Sequence, residues 1–295
     1  MKLIRIKRRI SATKYFNIFI FLVSLILFQN KNLIANDKTD HGLSFYEDSI
    51  KYYFALITAE REDFNKIEYN SRILYNFREM LKDENSFNYP FDSLRNVGII
   101  FSEDEKVRII TWNLPFNDRT HKYFGFILYK SSKRSYSVFE LNDNSETIIK
   151  PEQAILTNKN WYGSLYYKII TNKYKGVEYY TLLGADLNDL FTKKKIIDIL
   201  YFDDSESPVF GDKVFKNKTI PVSRVIFEYS AQSNMTLTYN EKKQMIIYDH
   251  LSPSRPSLKG QYEYYGPDFS YDGLKFERGI WNEYSDLDVR DYTIE

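Results

Sequence analysis

Short apolar stretches recur along the chain between Val97 and Trp281, and this spacing constrains the fold more than any other sequence feature. Polar turns separate the stretches, which follow one another about every 10–14 residues, as consecutive antiparallel strands do. The pattern predicts a mainly β protein of the α+β class with about 13 antiparallel strands, arranged as a sandwich or a partial propeller. The stretches are Val97–Phe101, Val107–Trp112, Tyr123–Tyr129, Tyr136–Leu141, Ser164–Thr171, Tyr179–Leu183, Ile196–Phe202, Val209–Phe215, Arg224–Tyr229, Met235–Tyr239, Met245–Tyr248, Tyr262–Tyr265 and Leu274–Trp281.

The composition agrees with a β fold that is stabilised by core burial. The chain has 26 tyrosines and 22 phenylalanines, and aromatic residues favour strands. It has no cysteine, so disulfide bonds cannot contribute to its stability and a lipidated cysteine anchor is excluded.

Residues 36–90 show a helical pattern instead. Ser44 and Glu47 have the spacing of a capping box, in which two side chains satisfy free amides at a helix start. Two apolar faces follow at helical spacing and predict two helices, the second with a break or restart at Asn70-Ser71, and the segment ends at Pro90. Their apolar residues are Tyr46, Ile50, Tyr53, Phe54 and Ile57, then Phe64, Ile67, Ile73, Leu74, Phe77 and Leu81. The predicted β domain covers residues 91–295.

Residues 1–35 have the layout of a secretory signal peptide. Six Lys and Arg residues precede the apolar run Phe16–Phe28, and the small residue Ala35 follows a polar stretch. The run is shorter than the ~20 apolar residues that a membrane-spanning helix needs. We therefore expect export to the periplasm and no transmembrane span in the mature chain. Secretion, or membrane anchoring through an uncleaved N-terminal segment, is the alternative.

Removal of residues 1–35 makes the chain acidic. Of the 41 Lys and Arg residues, seven lie in this segment, which leaves 34 basic against 40 acidic residues. Nucleic-acid binding needs clustered basic residues that displace counterions from phosphates. We therefore expect no nucleic-acid partner.

The sequence contains no recognisable catalytic motif. The nucleophile-elbow, metalloprotease and P-loop patterns are all absent, and the only histidines are His41, His121 and His250. With so few histidines and no cysteine, a zinc site is not expected. Asp249 and His250 are adjacent, but neighbouring residues on a strand point to opposite faces, so we do not expect them to pair.

Two groups of acidic and amide residues are candidate calcium sites. One contains Asp286, Asp288 and Asp291, and the other contains Asp186, Asn188 and Asp189. Neither has the glycine turn and closing bidentate Glu of a common Ca²⁺ loop, so we interpret both as solvated turn residues. No metal and no cofactor are predicted.

The segment 262–281 is the strongest candidate binding site in the sequence. Gly266-Pro267 and Asp272-Gly273 are turn dipeptides, which predict a tight loop between two aromatic strands. Aromatic faces beside carboxylates suit a sugar, and the same aromatic residues also suit a β core. The candidate residues are Tyr264, Tyr265, Asp268, Asp272 and Trp281.

The part of the chain from Asn88 to Asp291 resembles uncharacterised exported proteins of Gram-negative bacteria. The stretches that carry this resemblance are Asn88–Phe91, Trp161–Tyr167, Tyr180–Asp186, Arg224–Ser230 and Tyr248–Trp281. The resemblance implies export to the envelope and brings no activity, cofactor or catalytic residue with it. The expected function is that of a non-enzymatic envelope protein with a structural or binding role, whose partner is an envelope protein or a glycan. The alternative is a glycan-binding or glycan-active protein that uses segment 262–281.

Cleavage of the signal segment can be measured directly. We expect intact-mass measurement of the protein from the envelope to give a chain that starts near Asn36 and stays in solution without detergent. Recovery of a form that keeps residues 1–28 and needs detergent would contradict the expectation.

Overall fold

The computed structural model of the protein describes residues 42–131, 136–216 and 221–288. The predicted signal peptide 1–35, His41 and Asp291 lie outside these described residues. Within them the protein is mainly β, as the sequence predicts, with two α-helices and 15 strands in three sheets.

The helices form one N-terminal hairpin. Helix α1 covers residues 42–59, and α2 runs Asp63–Met80. The predicted start at Ser44 is wrong, because residue 42 is already helical. The two helices separate at 60–62, between the two predicted apolar faces, and α2 continues through Asn70 without the predicted break. Here the Glu60 carboxylate accepts hydrogen bonds from the amides of Arg61 and Glu62 at 2.7 and 3.0 Å.

The fifteen strands fall into three consecutive groups along the chain. The first group is β1 (Gly98–Phe101), β2 (Val107–Pro115), β3 (His121–Tyr129) and β4 (Ser137–Asn142). The second is β5 (Leu156–Thr157), β6 (Leu165–Tyr174), β7 (Val177–Asp186), β8 (Thr192–Phe202) and β9 (Pro208–Phe210). The third is β10 (Phe215–Lys216), β11 (Val225–Ser230), β12 (Leu237–Asn240), β13 (Met245–Pro253), β14 (Tyr265–Glu277) and β15 (Ile280–Tyr284).

These strands make three sheets that are almost entirely antiparallel. Sheet 1 has the order β1-β2-β3-β4, sheet 2 the order β5-β9-β8-β7-β6, and sheet 3 the order β10-β15-β14-β13-β12. Strand β11 joins sheet 2 by pairing with the first half of β8. The exception to the prediction of antiparallel strands is β10, which pairs parallel to β15.

Sheets 1 and 2 each bury both of their faces, so the molecule is layered. On β2, Ile110 and Trp112 pack against the helices, while Ile109 packs toward sheet 2. On β8, Ile196 faces sheet 1 and Ile197 faces sheet 3. Because successive residues of a strand point to opposite faces, a nearly continuous apolar strand can feed two cores. The layers are therefore the helices, sheet 1, sheet 2 and sheet 3.

Arg108 attaches the segment after α2 to sheet 1. Its buried guanidinium donates to three backbone carbonyls and contacts the faces of two phenylalanine rings. The carbonyls belong to Ser86, Phe87 and Tyr89, and the rings to Phe91 and Phe101. Burial lowers the pKa of Arg108 to about 10, so the side chain remains charged near neutral pH.

Two predictions for the C-terminal segment are wrong. Tyr262–Tyr264 is a 3-10 helix rather than part of a strand. Residues 266–273 lie inside β14 rather than in a loop, because they pair with β13 over most of their length. Pairing with β13 therefore overrides the turn preference of Gly266-Pro267 and Asp272-Gly273.

Among the described residues, no helix combines the length and the apolar content that crossing a membrane requires. Both helices instead contribute to the core with sheet 1. Ile50 and Phe77 are fully buried in the cluster that contains Trp112.

This shared core makes the stability of the helices and sheet 1 interdependent. We expect Ile50→Asp to lower the melting temperature of the whole protein and to cost at least about 3 kcal/mol, because it removes buried apolar contacts and buries a charge. Ala55→Asp is the matched control, since Ala55 is exposed on the same helix. Circular dichroism melting of both variants tests this, and an unchanged curve for Ile50→Asp would show that the helices fold independently.

Candidate functional site

The structure separates the aromatic residues of the predicted site on segment 262–281. Tyr264 is 45% exposed, whereas Trp281 is fully buried and its Nε1 donates to Thr181 Oγ1 at 3.1 Å. Tyr265 is half-buried, and its hydroxyl accepts a hydrogen bond from the Gly260 amide. Trp281 is therefore a core residue, and its predicted place in a surface binding site is wrong.

The two predicted acids both face one histidine. His250 Nδ1 lies 2.7 Å from Asp272 Oδ2, and His250 Nε2 lies 3.9 Å from Asp268 Oδ2. The register between β13 and β14 slips at this point, so that His250 stands opposite residues 268–270. The Asp286 amide also donates to Asp272 Oδ1, at 3.2 Å. The sequence predicts that His250 and Asp249 do not pair, and the structure agrees. Asp249 instead accepts a hydrogen bond from the Thr236 amide.

This arrangement favours a charged histidine. The hydrogen bond to Asp272 raises the pKa of His250, and the charges of Asp272, Asp268 and Asp286 add to the rise. Asp268 is also bound to the amide and hydroxyl of Ser270. The two acids therefore stabilise the register shift between β13 and β14. Of the predicted site residues, Tyr264 and Asp268 are exposed at the surface.

A deeper concavity lies at one end of sheets 1 and 2, and we call it the edge cleft. It has a volume of about 380 Å³. Its walls come from the start of β3, the end of β7, the start of β8 and the loops after β4 and before β6. Its lining residues are Phe116, Thr120, His121, Lys122, Tyr123, Asp143, Asn144, Ser145, Glu146, Thr147, Tyr162, Asp186, Asn188, Asp189 and Lys194.

Three of the four carboxylates in the edge cleft are held by internal donors. Asp186 accepts from the Tyr123 hydroxyl and the Asn188 amide, each at 2.7 Å. Asp143 accepts from Ser145 and from the Tyr123 amide. Asp189 accepts from three donors in residues 188–192. Asp186 is buried, so its interpretation as a solvated turn residue is wrong.

Tyr162 presents an unpartnered hydroxyl to this cleft. Its ring belongs to the core between sheets 1 and 2, and the residue is only 5% exposed. No hydrogen bond joins its hydroxyl to any described residue. Tyr162 lines the cleft. Burial raises the pKa of its hydroxyl, and the charge of Asp186 adds to the rise.

His121 supplies a second polar atom to the cleft. Its Nδ1 lies 2.8 Å from the Asn113 amide nitrogen, so Nδ1 accepts and the ring proton sits on Nε2. Half-burial lowers the pKa of His121, which keeps the ring neutral near pH 7. The Nε2–H is therefore a neutral donor without a partner among the described residues.

Gly163 allows the cleft wall to close. A Cβ at this position would lie 2.5 Å from Asp143 Cγ, so any larger residue would displace that carboxylate. The Gly163 amide donates to Ser145 Oγ at 2.8 Å. The sequence therefore needs glycine directly after Tyr162 for the Asp143 loop to pack.

Sequence reasoning missed most of this site. It singled out Asp186, Asn188 and Asp189 only as a small polar cluster, and it gave no role to Tyr162 or Asp143. Within the described ranges, no group of three or more His, Asp or Glu side chains is arranged to hold a metal ion.

Comparison with known proteins found no matching family model, no matching curated protein and no matching solved structure.

The two described histidines predict opposite pH effects on stability. Because the folded-state pKa of His250 is raised, its contribution is full below about pH 6.5 and is lost as the pH rises through the folded value. Because the pKa of His121 is lowered, protonation in acid opposes folding, and this penalty disappears above about pH 6.5.

Urea unfolding between about pH 5.5 and 9 measures both effects. We expect the stability lost in His250→Gln to shrink as the pH rises. In His121→Gln, the stability relative to wild type should instead fall as the pH rises. The same pH trend in both variants would contradict the assigned environments.

Proposed function

We propose that the protein is an exported, non-enzymatic protein of the bacterial envelope that binds a small ligand in the edge cleft. The export part rests on the signal-like residues 1–35, and it includes a periplasmic location as part of the proposal. The binding part rests on the cleft. Its volume of about 380 Å³ falls within the usual range for small-molecule sites.

One observation carries the proposal: Tyr162 and His121 direct unpartnered polar atoms into a cleft whose acids are otherwise engaged. The Tyr162 hydroxyl is not one of the fully enclosed polar atoms that lack a partner, so it is open to the cleft. A ligand can therefore reach it and form a hydrogen bond in place of water. The hydroxyl suits recognition of a bound molecule for this reason.

The engaged acids favour binding over catalysis. A general base must be free to take a proton from its substrate. Asp143, Asp186 and Asp189 instead accept hydrogen bonds from the protein's own amides and hydroxyls. Such bonds fix the position of each carboxylate.

The experiment uses the small-molecule fraction of a cell extract. The protein purified from the envelope is incubated with compounds below about 1 kDa, the size class that small-molecule pockets accept. Mass spectrometry then compares the compounds in solution before and after incubation, and identifies those that stay bound to the protein. We expect one compound to be retained with its mass unchanged and to raise the melting temperature. Tyr162→Phe should retain much less of it.

Tyr129→Phe is the matched control. The Tyr129 ring stacks on Phe202 outside the cleft, and its hydroxyl has no hydrogen bond to a described residue. It should retain the compound as wild type does. Depletion of one compound with formation of another would show catalysis, and retention of nothing would contradict a binding role.

A further inference from the structure

We infer that the ligand of the edge cleft is a neutral, hydroxyl-rich molecule, namely a carbohydrate of one or two rings. This inference rests on the proposed binding function and adds the class of ligand. It follows from the charges, the uncharged polar groups and the Phe116 ring, which line the cleft.

The charges disfavour an anionic ligand. Four carboxylates and two lysines line the cleft, so its own charge is negative. Lys194 is also engaged, since its Nζ donates to Asn188 Oδ1 at 2.8 Å and lies 3.7 Å from Asp186 Oδ2. A phosphate or carboxylate ligand would approach more acids than free cations.

A cationic ligand gains little from the same acids. Asp143, Asp186 and Asp189 already accept hydrogen bonds from the protein. Glu146 is the lining acid without a hydrogen bond to any described residue, and it is exposed at the rim. Exposed ion pairs contribute little to binding because water and salt screen them, so Glu146 alone does not select a cation.

The remaining polar groups match hydroxyls. They are the side chains of Thr120, Asn144, Ser145, Thr147, Tyr162 and Asn188, together with neutral His121. The Thr120, Ser145 and Thr147 hydroxyls already donate to protein oxygens, but each oxygen can still accept a hydrogen bond from a sugar hydroxyl. The Asn144 and Asn188 amides also donate within the protein. Tyr162 can donate to or accept from a sugar hydroxyl, and His121 Nε2–H can donate to one.

Phe116 supplies the apolar part of the site. It is half-buried and lines the cleft, whereas the rings of Tyr123 and Tyr162 lie in the core and present little more than their hydroxyls. A sugar ring carries C–H groups between its hydroxyls, and an aromatic side chain buries such surface while polar groups fix the orientation. The cleft therefore combines the two kinds of contact that a neutral sugar offers.

Calorimetric titration of the protein purified from the envelope tests the inference. The neutral probes are glucose, galactose, N-acetylglucosamine, maltose, lactose and chitobiose. Glucuronate and inorganic phosphate are the anionic probes, and glucosamine is the cationic probe. We expect one neutral sugar to bind at least about tenfold more tightly than the charged probes. Tyr162→Phe should weaken that binding about tenfold through the lost hydrogen bond, whereas Tyr129→Phe should leave it unchanged.

Any other result contradicts one identifiable step of the inference. Preferred binding of a charged probe that still depends on Tyr162 contradicts the neutral ligand and leaves a binding function in place. Sugar binding that Tyr162→Phe does not weaken contradicts the edge cleft as the site. Binding of none of these probes contradicts the carbohydrate class, and the extract experiment then decides separately whether the protein binds any ligand.

Discussion

The buried ion pair between Asp198 and Arg224 is the interaction on which the position of the edge cleft depends. Both side chains are fully buried, and Arg224 Nε donates to Asp198 Oδ2 at 2.8 Å. Arg224 Nη1 also donates to the Pro151 carbonyl, and its guanidinium carbon lies 5.7 Å from the Tyr162 ring centre. Burial raises the pKa of Asp198, and Arg224 opposes that rise. Removing either partner of such a pair leaves an uncompensated buried charge. The pair therefore links β8 to the start of β11 and to the cleft wall that Tyr162 forms.

Much of the fold can be predicted from the sequence, because local pattern and burial agree. The apolar spacing after Val97 predicts strands that the layered sheets confirm, and even Thr192–Leu200, with its three lysines, forms a strand because its apolar residues face two cores. The failures occur where long-range contacts decide. Asn70 looks like a helix breaker, yet it is buried in α2 and accepts a hydrogen bond from Trp112 Nε1 at 2.8 Å. Residues 266–273 look like a loop and form a strand because β13 pairs with them.

The candidate site is harder to predict, because its residues come from separate strand ends. His121 begins β3, Asp186 ends β7, and Tyr162 precedes β6. None of them belongs to a motif of fixed spacing, so their convergence depends on how sheet 1 packs on sheet 2. The local sequence carries one usable signal: Gly163 beside Tyr162, where the chain needs room for the Asp143 carboxylate. In segment 262–281 the aromatic pattern misleads at Trp281, which serves the core, whereas Tyr264 lies at the surface.

Tyr123 explains why the edge cleft is formed before any ligand arrives. Its ring is part of the core between sheets 1 and 2, and its hydroxyl bridges Asp186 and the Leu187 amide at 2.7 Å each. Its own amide donates to Asp143 Oδ2 at 2.9 Å. One core residue of β3 therefore fixes an acid on each side of the cleft. Ligand binding to such a site orders few side chains, and this lowers the entropic cost of association.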